Sequence, residues 1–146
     1  MTDKVSKRDR QKKLVENMRR WQGVETAAIA QTAKIMGASD NPLIQMVATI
    51  IQRDSQTHYA VQKLIIDSLT HSFTLGVGEL ETVWDGIEKH IEIEKRTIEL
   101  AKDSLEQLDH QREGVMQYLL EYLLVDEEKH DKLLSDLELV KKGMYP

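Results

Sequence analysis

Met116-Gln-Tyr-Leu-Leu-Glu-Tyr-Leu-Leu-Val-Asp-Glu-Glu-Lys-His-Asp-Lys-Leu-Leu-Ser-Asp-Leu137 decides the fold. Steps of four and three from Met116 select Leu120, Leu123, Glu127, His130, Leu134 and Leu137, one face of an α-helix. The apolar stripe is broken at its middle by Glu127-Glu-Lys-His130, a Glu-x-x-His spacing that puts a carboxylate and an imidazole on one helix face. The same tracing works three more times. It gives Leu14, Met18, Trp21, Glu25, Ala28, Thr32, Ile35, and then Ile44, Ala48, Ile51, Ser55, His58, Gln62, Ile65. The remaining stripe is Leu80, Trp84, Ile87, Ile91, Glu94, Ile98, Ala101, Leu105, Leu108. Each carries a polar residue near its centre: Glu25, Ser55 with His58, Glu94, and Glu127 with His130.

The stripes predict helices over about Lys7 to Met36, Pro42 to Leu69, Glu79 to Leu108 and Glu113 to Lys142. Gly37 is expected to close the first, Asp40 or Asn41 to cap the second, and Pro42 to fit its first turn. Only two prolines and seven glycines interrupt 146 residues, and 31% of the chain is charged. This composition suits long solvated helices and argues against a sandwich or barrel with frequent turns. The expectation is an all-α chain, a single four-helix-bundle domain over 1–146 built from two repeated helical hairpins. Ungapped alignment of the second and fourth segments pairs Gln45 with Gln117, Asp54 with Asp126, Ser55 with Glu127 and His58 with His130. The first and third pair Glu25 with Glu94 and Ile29 with Ile98.

The absence of cysteine excludes a disulfide scaffold, a thiolate nucleophile and a Cys-ligated zinc or iron–sulfur centre. No run of about 18 apolar residues suggests a membrane span, and the first residues do not read as a secretory signal. A cytoplasmic protein is expected, with no membrane partner. The net charge of −5 gives no reason to expect nucleic acid. The first twenty residues differ, with eight Lys/Arg against Asp3, Asp9 and Glu16, and a basic arm over about 1–13 reads as a solvated helical start.

Burying an ionised carboxylate in an apolar seam costs several kcal/mol unless a cation or a strong donor compensates it. Glu25 lies about as far before the first turn as Ser55 lies after it, and Glu94 and Glu127 flank the second turn alike. The polar groups should therefore meet at mid-helix. Metal ions are the partners this arrangement suggests, with Glu25, His58, Glu94, Glu127 and His130 as ligands and Asp54 and His90 as secondary candidates. A buried hydrogen-bonded network without metal is the competing reading. Trp21 and Trp84 read as core, Tyr118 and Tyr122 as packing residues, and His71 and His110 as solvated.

These residues carry a resemblance. Asp54-Ser-Gln-Thr-His58, Asp126-Glu-Glu-Lys-His130 and His90-Ile-Glu-Ile-Glu94 resemble the ferritin-like superfamily, in particular small rubrerythrin-related bundles without a rubredoxin domain. The resemblance spans about Leu14 to Leu137 and implies a site for one or two ions, usually iron, with manganese or zinc as alternatives. It implies a non-haem di-iron oxidoreductase of ferroxidase or rubrerythrin-like type, with an external electron donor and a homodimer as expected partners. It also implies a crossover between helices two and three, extended over Thr70–Gly78, with the helix ends unwound to about Ile66 and Leu80. The departure is Ser55, which stands where the family pattern has a bridging Glu. The alternative it raises is a metal-free helical interaction or scaffold bundle with a decayed dimetal site.

Overall fold

The computed structural model describes the backbone of residues 5–71, 78–108 and 114–144, with side chains through Val140. The described residues form four helices and no strand: α1 (Lys7–Ala38), α2 (Pro42–Thr70), α3 (Glu79–Gln107) and α4 (Gly114–Met144). The chain divides into two compact units, residues 1–73 and 74–146, each an antiparallel helical hairpin. No helix among the described residues is long and apolar enough to cross a membrane.

Local chemistry sets the helix ends. Ser6 accepts the Asp9 backbone N–H at 3.1 Å and donates its hydroxyl to Asp9 Oδ2 at 2.6 Å, a reciprocal cap that starts α1. Asn41 Oδ1 accepts from the N–H groups of Leu43 and Ile44, with Pro42 in the first turn, so Asn41 rather than Asp40 caps α2. Gly37 does not close α1. The helix runs on to Ala38, and Gln45 Nε2 donates to the carbonyls of Met36 and Ser39, satisfying acceptors that a left-handed glycine would otherwise have served. Gly78, at φ 86°, precedes α3, where the acidic Glu79 and Glu81 complement the helix N-terminus.

The unwinding expected at the inner ends of α2 and α3 does not occur. α2 stays helical to Thr70 and α3 begins at Glu79. The last turn of α2 is held by the His71 N–H donating to the Asp67 carbonyl, by Ser68 Oγ on the Ile65 carbonyl, and by a 2.8 Å Lys63–Asp67 ion pair. The extended crossover itself and the break containing His110 fall on residues 72–77 and 109–113, outside the described residues.

Burial within the hairpins follows one heptad position. Met18, Glu25 and Thr32 are buried in α1, Ala48, Ser55 and Gln62 in α2, and Leu80, Glu94 and Ala101 in α3, each at a step of seven or a multiple of it. Two helices in contact close over one narrow row, and the alternate stripe positions lie on its flanks. Trp21, expected in the core, is therefore 52% exposed, and Tyr118 is equally open, whereas Trp84 is half-buried with its indole N–H on Glu88.

Hairpin one has a further set of ties on the same repeat. Gln22 Nε2 donates to the Tyr59 carbonyl at 3.4 Å, Gln52 Nε2 to the Ile29 carbonyl at 3.2 Å, and Gln45 Nε2 to the Met36 carbonyl. The Tyr59 and Ile29 carbonyls, inside their helices, keep a second lone pair that these amides use, whereas the Met36 carbonyl, in the last turn of α1, takes its bond from Gln45.

Replacing Asn41 by Ala should lower stability by about 1 kcal/mol, and Asn41→Asp should recover most of it. Urea denaturation of both variants measures this.

Candidate metal centre

The buried heptad row places one carboxylate at the middle of each hairpin. In hairpin one it is Glu25, which is 5% exposed. The Ser55 hydroxyl donates to it, Gln62 Nε2 donates to Oε1 at 3.4 Å, and His58 Nδ1 lies 3.3 Å from Oε1. Burial pushes the Glu25 carboxyl up, but the bonds from Ser55 and Gln62, with His58 beside them, outweigh it and hold the group below its ordinary value. Gln62 Oε1 is buried without a partner. Turning the amide over would press that oxygen against the carboxylate, so the bond to Glu25 fixes its orientation.

In hairpin two the carboxylate is Glu94, also 5% exposed. Its surroundings differ. Oε1 lies 2.9 Å from His90 Nε2 and 3.6 Å from His130 Nδ1. Glu127 comes across from α4, with its Oε2 3.8 Å from His130 Nδ1 and 3.0 Å from Thr97 Oγ1. Thr97 has one hydroxyl hydrogen and two acceptors, since the Glu94 carbonyl is 2.8 Å away. One ligand atom each from Glu94, Glu127 and His130 falls within 4.8 Å of the others, a group that can hold a metal ion.

Two carboxyls this close cannot both ionise cheaply in a desolvated setting. The bond to Glu94, with burial added, holds Glu127 above the ordinary carboxylate value. Glu94 is held below it, first by the bond from Glu127 and then by His90 and His130. Their closeness thus sets the two carboxyls apart, Glu127 as the weaker acid and Glu94 as the stronger. Glu94 Oε2 has no other donor and is buried. His130 Nε2 lies 3.4 Å from Asp126 Oδ2, and its Nδ1 faces the two carboxyls. Two carboxyl groups and an imidazole nitrogen that converge in this way form a donor set suited to a divalent cation.

The five ligand candidates thus fall into two groups, Glu25 with His58 in one hairpin and Glu94, Glu127 and His130 in the other. His90 touches Glu94 but lies outside the ligand group and acts as its hydrogen-bond partner. Asp54 is half-buried and is not among the partners of Glu25. Residue-type reasoning missed Gln62 and Thr97, although Gln62 lay on the traced stripe and Thr97 stands one turn beyond Glu94.

Two outcomes follow for the metal-free protein. Glu127 binds its proton more tightly folded than unfolded, so its contribution is present below the unfolded carboxyl value near 4.5 and is lost as pH rises through the raised folded value. Urea midpoints in chelator should therefore fall across that window for the parent and stay flat for Glu127→Gln. Glu25 is depressed, so its contribution is present above 4.5 and is lost as pH falls through its lowered value. Ser55→Ala should cost about 1 kcal/mol at neutral pH and less once Glu25 is protonated, read from the same urea series.

No protein-family model matches the chain, and no curated protein or solved structure does either.

Proposed function

We propose that the chain is a divalent-metal-binding helical protein whose ion is held between α3 and α4 by Glu94, Glu127 and His130. The observation that supports this reading is a buried carboxylate oxygen, Glu94 Oε2, that no amide, imidazole or alcohol reaches, beside a second acid and an imidazole nitrogen. A cation would neutralise both carboxylates and take the His130 nitrogen as a ligand. Glutamate and histidine together suit iron(II), manganese(II) or zinc(II). Asp126 would orient His130, and His90 would orient Glu94.

In its finer form this reading is ferritin-like. Two repeated hairpins form one four-helix bundle, the metal is iron, and a non-haem oxidase or peroxidase-type reaction draws electrons from another protein. When bound, the metal would supply redox chemistry. The chain supplies a site in which three side chains leave coordination positions open. The parallel placement of a buried Glu on the first helix and a His on the second helix of each hairpin supports this form.

The test begins with protein stripped of metal by chelator. Anaerobic addition of Fe(II) or Mn(II) should raise the melting temperature, since an ion bound only by the folded state adds about 2.7 kcal/mol at a concentration about 100-fold above Kd. Glu127→Gln should lose at least about tenfold in affinity, or about 1.4 kcal/mol. An unchanged melt, with no metal retained, would instead establish the metal-free interaction or scaffold bundle.

A further inference from the structure

Glu25 and Glu94 occupy equivalent places, one per hairpin, yet their surroundings answer the loss of water in opposite ways. Around Glu25 the partners are a hydroxyl, an amide N–H and an imidazole, with no second carboxylate. A divalent ion set against Glu25 would meet one anionic ligand, break the bonds from Ser55 and Gln62, and require the Gln62 amide to reverse. Around Glu94 the same ion would meet a second carboxyl, an imidazole nitrogen and a buried carboxylate oxygen that no amide, imidazole or alcohol reaches.

The wider field points the same way. Residues 1–73 carry eleven Lys/Arg against seven Asp/Glu, a net charge of +4. Residues 74–146 carry nine against eighteen, a net charge of −9. Eight of the eleven Lys/Arg lie in the first twenty residues, so the positive excess belongs to the N-terminal arm, while the acidic second hairpin favours cations at its own carboxylates.

Resting on the metal-binding reading above, we infer that each chain holds one divalent ion rather than two, in the α3–α4 hairpin alone. Ser55 and Gln62 answer the Glu25 charge without a cation, and the one orphan there, Gln62 Oε1, belongs to a neutral amide that costs far less to leave bare than a carboxylate oxygen. Ser55 is thus the residue that selects this state: its short hydroxyl fills a donor role toward Glu25 where a carboxylate would have added a ligand. The two hairpins solve one electrostatic problem by different means, internal donors in the first and an acquired cation in the second. This departs from the two-ion site that the ferritin-like resemblance allows.

The full chain, stripped of metal, is titrated with Mn(II), and stoichiometry is read by calorimetry and by the loss of the free-ion electron paramagnetic resonance signal. One equivalent is expected. Glu25→Gln should keep that equivalent and its affinity within about threefold, whereas Glu127→Gln should lose at least about tenfold. His58→Gln reads the same question at a side chain that is 56% exposed, so it remains informative where Glu25→Gln fails to fold. Ser55→Ala should lower the denaturation midpoint equally in chelator and in Mn(II). Ser55→Glu combined with Gln62→Leu should bring a second equivalent. Two equivalents in the parent, a tenfold loss in His58→Gln, or a Ser55→Ala effect that grows with Mn(II) would overturn the inference. A flat titration in the parent, indistinguishable from that of Glu127→Gln, would overturn the metal-binding reading itself.

Discussion

A carboxylate withdrawn from water at the middle of a two-helix contact is the constraint on which both hairpins turn. Such a group costs several kcal/mol unless its charge is answered nearby. Glu25 and Glu94 are each reduced to 5% exposure by the partner helix, so the answer has to come from within the same narrow row. Hairpin one answers with neutral donors, Ser55 at the contact level and Gln62 about two turns further along the same row, and with a half-exposed His58. Hairpin two places a second acid at that level and an imidazole beside it. The identity of a single residue on the second helix, Ser55 or Glu127, decides whether the buried acid meets a hydroxyl or a second carboxyl.

The narrowness of the row explains which residues can occupy it. The positions closed by the partner helix hold small or polar side chains almost throughout, with Thr32, Ala48, Ser55 and Ala101 beside the acids. Small residues let the backbones approach, and close approach is what removes the carboxylates from solvent. Large apolar side chains such as Trp21 and Leu123 are displaced to the flanks, where 52% and 47% of their surfaces stay open.

Helix number, approximate limits and the start of α2 were readable from the sequence because they depend on local signals: apolar periodicity, Asn41-Pro42, and the gap before Glu79. The polar centres were readable because a Glu or His in an apolar stripe contradicts its neighbours. The partition of the five ligand candidates was not. It depends on which side chains meet across a helix pair, and a stripe of equal spacing does not distinguish a closed position from a flank. Gln62 was hidden for a related reason. A glutamine on a stripe carries no charge to mark it, and its role appears only when its amide is found against Glu25. Gly37 misled because the acceptors it was expected to serve are taken by Gln45, a residue of the next helix.

The three glutamine ties in the first hairpin set how it can misalign. Residues 22, 29 and 36 face 59, 52 and 45, so all the ties share one register and one repeat. A slide of one or two residues breaks them together and gains none, and the next commensurate position lies a full heptad away, about 10 Å along the axis. The three-residue link between α1 and α2 is too short to absorb such a displacement. The hairpin therefore behaves as a detent with a single notch: its helices separate or stay, and the level at which Glu25 meets Ser55 is fixed before any ligand arrives.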